Sequence, residues 1–387
     1  MKLQSIYSNI YDKLWMRNKY KKYVGFYQKN QQRLELQKRF PLTAEQKKQI
    51  DDYYMAYYGS KIPYECHQNF AVHTGVFRPD YFADFLFVPY FEHFINEKRA
   101  YATAFSDKGS LPFFAQAANV SMPKHLVINQ YGVSRDANNN CIKFDDVCRI
   151  LENAGRVFVK PTIESGSASG VFTANFENGI DKKTGKTVRE VLEGNPTTKK
   201  NFVIQEFMKC HKDLADLYSG SVNTFRVVTY RWKDDFYAMP GVLRIGSGGG
   251  EVDNAHAGGM FVAIEDDGTL KGNAMTEFMK VFEKHPDSGI VFGGYKVNGY
   301  PKVVEAALKM QGMLPELGTV AWDLTLGESG EPVLIEANFI LGGFWIIQCA
   351  HACAPFGERQ PEVLRWISKM KSLPYTERGK YAFGYGI

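Results

Sequence analysis

A chain of 387 residues, 44% apolar and 23% charged, has the balance of a globular protein and is long enough for two or three subdomains rather than one core. Its net charge of +5 is unevenly placed: residues 1–40 hold ten Lys or Arg against Asp12 and Glu35, a net of +8, which leaves −3 for the rest. A near-neutral body gives no support to general nucleic-acid binding. Six cysteines in a chain of this size make no disulfide framework, and neither a bilayer-length apolar run nor a secretory leader is found, so a cytoplasmic location is expected.

The basic segment 1–40 places Ile6, Ile10, Leu14 and Trp15 at helical spacing. Such a helix either lies on an anionic membrane surface or packs on its own domain. Pro41-Leu42-Thr43 opens a second helix, with Thr43 as N-cap and Glu45 in the first turn, running to about Tyr58 before Gly59. Residues 60–105 are rich in aromatics; their His67, His73, Arg78 and His93 match no metal spacing and read as local structure or substrate contacts.

A helix is expected from Ser106-Asp107-Lys108-Gly109 to just before Ser121, then a strand over 124–128, a helix over 144–153 and a strand over 156–161. Lys160 ends that strand and precedes the small-residue loop Glu164-Ser165-Gly166-Ser167-Ala168-Ser169-Gly170. Such a loop lets backbone N–H groups approach an anion closely, and the lysine adds a point charge for phosphate. Neither a Walker A sequence nor a Gly-x-Gly-x-x-Gly fingerprint is present. Strands follow at 171–176 and 201–208, the latter ending in Gln205-Glu206-Phe207-Met208, and further strands at 222–232, 235–245 and 259–265. Arg226 and Arg244 each stand inside an apolar strand, where an unpaired charge is costly. Either local acids such as Glu251 or Asp253 pair with them, or they face a phosphate or carboxylate that fits a guanidinium fork. In the Gly-rich loop that follows, Asn254 and His256 are candidates for substrate contact.

Beyond a helix at 300–312, residues 318–338 read as a hairpin turning at Gly327-Glu328-Ser329-Gly330. Glu336 and Asn338 are two apart on one strand and share a face; Asp323 on the other joins them if the strands pair as they read. Three hard oxygen donors on one face suit Mg2+. Cys349, His351 and Cys353 resemble a zinc cluster in spacing, but a buried core helix explains them better. A final helix is expected at 358–370.

In this order, Asp107-Lys108, strand–Lys160 with its Gly/Ser loop, Gln205-Glu206, the two strand arginines and the Asp323/Glu336/Asn338 set resemble the ATP-grasp superfamily from about residue 106 to 346. Val159-Lys160-Pro161 with Ser165–Gly170 is similar to the phosphate lid of D-alanine–D-alanine ligase relatives. Asn223-Thr224-Phe225-Arg226, the Arg244 strand, and Val252-Asp253-Asn254 with Gly258-Gly259 look more closely like the sugar-transfer-associated ATP-grasp family. The resemblance implies an α+β fold of two subdomains clasping ATP between antiparallel sheets, with a helical extension. It divides the chain into a basic arm (1–59), a preceding region (60–130), a small lid subdomain (131–208) and a large subdomain with the metal site (209–387).

It further implies that Lys108 and Lys160 hold ATP phosphates, Glu206 accepts from the adenine amino group, Phe207 and Met208 line the adenine pocket, and Asp213 meets ribose. Gly166, Ser167 and Ser169 would form the lid, Asp323, Glu336 and Asn338 the Mg2+ set, and Arg226 and Arg244 would act with Lys160 on the transferred phosphoryl group. One position departs: D-alanine ligases carry an arginine two residues before the first metal acid, and here that residue is Ala321. The activity implied is ATP-dependent ligation of a small-molecule carboxylate and an amine through an acyl phosphate, on a sugar-acid or amino-acid precursor of bacterial surface polysaccharide. The basic arm would contact the inner membrane face or a lipid-linked glycan. A phosphotransferase acting on a hydroxyl and a non-catalytic nucleotide-binding adaptor are the alternatives.

Overall fold

Strands that are apolar on both faces need cover on both, and this requirement shapes the larger half of the molecule. The structure is a computed structural model that describes all residues except 1, 97–98, 164–168, 254–257, 341 and 387. The expected strands form two sheets in which every pairing between strands is antiparallel.

The smaller sheet comprises β1 (His125–Gln130), β2 (Val133–Asp136), β3 (Cys141–Ile142), β4 (Gly155–Pro161), β5 (Phe172–Glu177), β6 (Ile180–Asp181) and β7 (Phe202–Glu206). They lie in the order β3-β2-β1-β7-β4-β5-β6. Helices Phe144–Leu151 and Val188–Gly194 close one core around Val127, Val157, Ile204, Val147 and Leu192.

The larger sheet comprises β8 (Thr224–Trp232), β9 (Asp235–Ala238), β10 (Val242–Ile245), β11 (Met260–Ile264), β12 (Leu270–Met275), β13 (Val281–Phe282), β14 (Thr319–Leu326) and β15 (Pro332–Asn338). Its order is β13-β12-β11-β10-β8-β14-β15, with β9 added to β8. All of β14 is buried. Phe225, Val227, Trp322 and Leu324 pack with the helix Tyr300–Gly312 on one face. Val228, Tyr230 and Ala321 belong to the opposite core, built from the N-terminal helices and the helix Gln360–Ser372.

Several local readings change in three dimensions. The stretch 235–245 is two strands, because Pro240 has no N–H to give the ladder. Thr43 does cap the helix Ala44–Tyr57, in a reciprocal box with Gln46. Within 60–105 the helices Glu65–Thr74, Asp84–Leu86, His93–Ile95 and Arg99–Phe105 form, with a π-helical turn at Phe87–Glu92, and the four polar side chains singled out in the sequence make local contacts. His67 meets the Pro79 carbonyl at 3.2 Å, His73 bridges the carbonyls of Asn69 and Glu277 at 2.8 and 3.0 Å, Arg78 pairs with Asp80 and His93 with Asp12. Cys349 is buried in the helix Trp345–His351, and His351 lies 2.6 Å from the Gly241 carbonyl. Among the described residues no group of three His, Cys, Asp or Glu is placed to hold a metal.

One buried acid gives a stability prediction. Asp84 accepts from the Tyr27 hydroxyl at 3.3 Å. Burial pushes its carboxyl up to about 6, and Arg33 and that hydroxyl offset the push only in part. Because the folded value exceeds the unfolded 3.8, the native state holds the extra proton between the two. Stability therefore falls as pH rises through this window, by about 3 kcal/mol in all. Asp84→Asn is expected to raise the melting temperature at neutral pH and to lose the advantage near pH 4. A gain independent of pH over that range would refute the assignment.

Candidate functional site

Antiparallel pairing converts sequence spacing into a cluster. The hairpin closes through Gly330, at φ +78°, whose N–H donates to Gly327. Its register sets Asp323 opposite Glu336 and Ala321 opposite Asn338. On the other side of β14, Asp323 faces Arg226 of β8, and Arg244 of β10 faces Thr224. Four strands thus carry Arg244, Arg226, Asp323, Glu336 and Asn338 to one cleft beside the larger sheet. Across the cleft the smaller sheet supplies Phe158, Lys160, Gln205 and Glu206, and Lys108, Phe207 and Met208 complete the wall.

The charges are interlocked. Arg226 grips Asp323 with two donors, Nε to Oδ1 at 2.6 Å and Nη2 to Oδ2 at 3.1 Å, and donates Nη1 to the Gly342 carbonyl at 2.8 Å. Arg244 reaches the same Oδ2 at 3.1 Å and donates to Thr224 Oγ1 at 2.6 Å. Thr224 in turn bonds Asp253 through its N–H at 3.0 Å and through its hydroxyl. Burial would raise the Asp323 carboxyl, but the Arg226 and Arg244 guanidiniums hold it below the usual range. Asp253 goes the other way, raised by burial that its partners do not offset.

Lys160 donates to the Ile335 carbonyl at 3.2 Å, and Lys108 lies 3.3 Å from Glu336. Burial presses the Lys160 ammonium down to about 8; Lys108 adds to this, while Glu336 and Asp323 oppose it.

Other expected residues fall as follows. Glu206, half-exposed, pairs with Lys124 at 2.7 Å. The Arg156 guanidinium stacks 3.6 Å from the centre of the Phe207 ring, a cation–π contact. Asp213 is not brought to the cleft; its carboxylate caps Asn298, accepting from N at 2.8 Å and Nδ2 at 3.0 Å. Ser169 lies beside Pro161, Gly170 and Thr197, away from the cluster. Gly166, Ser167, Asn254 and His256 lie outside the described residues.

Two residues named in the sequence only as a motif member and as a possible arginine partner take more specific places here. Thr224 links Arg244 to Asp253, a role foreshadowed only by its place one pleat before Arg226. Glu251 joins the halves: it accepts from Thr173 at 2.8 Å and lies 3.4 Å from Arg156 and 3.6 Å from Lys183, all on the smaller-sheet side.

The oxygen donors fit a hard cation. Asn338 spends its amide nitrogen on Asp323 and the Ala321 carbonyl, which leaves the amide oxygen to offer. Glu336 adds a carboxylate, and Asp323 Oδ1 accepts from Arg226 alone among the described contacts. Together they would hold Mg2+ with water and phosphate filling the octahedron.

The chain is similar to several proteins of solved structure. The L-amino acid ligase of Bacillus licheniformis matches with 13% identity and a TM-score of 0.38, over 68% of this chain and 47% of that one. D-alanyl-alanine synthetase A of Vibrio cholerae O1 biovar eltor matches with 12% identity and a TM-score of 0.40, over 68% and 64%. The D-alanine–D-alanine ligase of Bacillus anthracis, solved with ATP, matches with 12% identity and a TM-score of 0.38, over 68% and 66%. The chain spans about half the length of the first of these. No curated protein matches it. The family model described as sugar-transfer associated ATP-grasp matches residues 88–358, more than half of the sequence and all of both sheets, and the chain belongs to that family.

Proposed function

We propose that the protein is an ATP-dependent carboxylate–amine ligase that forms an acyl phosphate. The observation that carries this reading is the convergence of four cations, Lys108, Lys160, Arg226 and Arg244, with three hard oxygen donors around one cleft between two sheets. Family membership supports the use of ATP, and the donor set supports Mg2+, which when bound would neutralise phosphate charge.

The chain's own residues act by position and charge. Lys160 and Lys108 bind phosphate oxygens, and Phe207 and Met208 enclose the base, with Glu206 accepting from its amino group. A substrate carboxylate oxygen attacks the γ-phosphorus, and the bond to the bridging oxygen breaks with its electrons leaving on ADP. An amine then attacks the acyl carbon, phosphate departs with the C–O electrons, and the nitrogen loses a proton. Arg226 and Arg244 face the charge that moves in both steps, and Arg244 takes the place of the arginine that Ala321 cannot supply. The substrates proposed are a sugar acid or amino-acid precursor of surface polysaccharide and an amine, with a free, nucleotide-linked or lipid-linked acceptor at the cytoplasmic face of the membrane.

The decisive experiment is ADP formation with MgATP across uronic acids, nucleotide-sugar acids and amino acids, with mass spectrometry of the products. A condensed product with equal ADP and phosphate supports the ligase. A stable phosphorylated product would replace it with the phosphotransferase, and tight nucleotide binding without turnover on any pair with the adaptor.

The Lys160 ammonium gives a second check. Phosphate favours the charged form, which the free protein loses above about pH 8. Nucleotide affinity should therefore fall as pH rises past 8, approaching tenfold per unit. Lys160→Ala should abolish binding, and Lys160→Arg should flatten the pH dependence. Equal affinity at pH 7 and pH 9.5 in the unaltered protein would contradict this role.

A further inference from the structure

The first helix, Lys2–Lys29, carries apolar residues on two sides. Its inner side is used: Met16 and Tyr27 are buried, Trp15 stacks on His93 at 4.6 Å, and buried Asp12 is held by His93 and by Arg378 at 2.6 Å. Its outer side covers nothing. Ile6, Tyr7, Ile10, Tyr11 and Leu14 are exposed by 55, 71, 55, 61 and 51%, and their i, i+4 spacing makes them one continuous patch. A helix on a globular body ordinarily turns charged residues outward, and a contiguous apolar patch of this kind marks an interaction site.

The charge around the patch selects the partner. Lys13, Arg17, Lys21 and Lys22 are exposed on the same helix, and between residues 2 and 34 the one acid in the sequence is Asp12, already consumed inside. The outer face thus has cations beside aliphatic and tyrosine side chains, and the helix itself offers no exposed carboxylate to balance them. A second copy docked on this face would set lysine against lysine, which is repulsive. Tyrosine, isoleucine and leucine tips beside Lys and Arg suit the boundary between lipid headgroups and acyl chains.

We propose that the outer face of this helix docks the protein on an anionic membrane surface, the helix lying in the plane of the interface. No helix among the described residues is long and apolar enough to cross a membrane, so the contact is peripheral. The inference concerns where the chain sits and holds whatever reaction the cleft performs.

The test is co-sedimentation of the full chain with vesicles of phosphatidylcholine alone and of phosphatidylcholine mixed with phosphatidylglycerol. Binding is expected only to the anionic vesicles. Lys13→Gln/Arg17→Gln/Lys21→Gln should weaken it roughly 100-fold, three surface cations each contributing about fivefold. Ile6→Ser/Ile10→Ser/Leu14→Ser should abolish it, with the melting temperature and nucleotide binding of both variants unchanged because the altered residues are exposed. Absence of binding to anionic vesicles, or binding that survives the serine variant, overturns the proposal. So does a dimer in solution that the serine variant dissociates, which would assign the face to a second copy.

Discussion

Replacing Arg226 and Asp323 together by Met and Leu is expected to leave the protein folded, within about 1–2 kcal/mol of its original stability, while abolishing nucleotide-dependent turnover. The pair is deeply buried, with side chains 10 and 5% exposed. Desolvating two charges costs several kcal/mol each, so a buried pair gives little net stability over apolar residues of similar size. Arg244, which loses Asp323 in the double variant, keeps Asp253 at 3.6 Å and the Thr224 hydroxyl at 2.6 Å. Arg226→Ala alone is different. It leaves the Asp323 carboxylate buried with Arg244 and Asn338 as its remaining donors, at a cost of about 3 kcal/mol, the lower end for a broken buried pair because one guanidinium stays. Chemical denaturation of the single and double variants measures both. If the double variant is as unstable as the single one, the pair serves the fold rather than the site. Gly343→Ala probes the same pocket more gently: at φ +60° its added carbon would lie 2.5 Å from Arg226 Nη1, so it should displace the guanidinium.

Glu336→Gln is expected to lower the turnover number by roughly 10²–10³ with the melting temperature nearly unchanged. The substitution keeps the shape and removes the charge, at a residue with a side chain 30% exposed and therefore cheap to neutralise. If Glu336 holds magnesium, the unaltered protein should bind nucleotide more tightly with magnesium than with a chelator, and Glu336→Gln should lose much of that difference. Turnover at the original rate in Glu336→Gln would remove the cation from the proposed site.

What was legible in the sequence follows from how local each signal is. The hairpin was legible because period two and a Gly-bounded turn fix both face and register; Asp323 opposite Glu336 follows from those alone. Lys160 was legible from its strand and the small-residue loop after it. Asp213 was not, because its partner Asn298 stands 85 residues away, and no spacing in the sequence announces a contact of that range. The pairing of Arg244 was open between Glu251 and Asp253, two residues apart; only the fold turns one inward to Thr224 and the other outward to Arg156. Strand β12 escaped notice because its middle, Lys271-Gly272-Asn273, is exposed and reads as a turn. The helices of 60–105 were hidden by aromatic residues whose conformation tertiary packing decides.

The cleft therefore carries two electrostatic devices of opposite character. Arg226–Asp323 is sealed from solvent, whereas the Glu251 contacts to Arg156 and Lys183 are partly exposed on both sides, by 37% at Glu251. At physiological ionic strength the Debye length is about 8 Å, so added salt reaches the second and hardly touches the first. Ionic strength becomes a dial on one property alone: rising salt should loosen the hold between the two sheets, while the buried Arg226–Asp323 pair keeps its geometry.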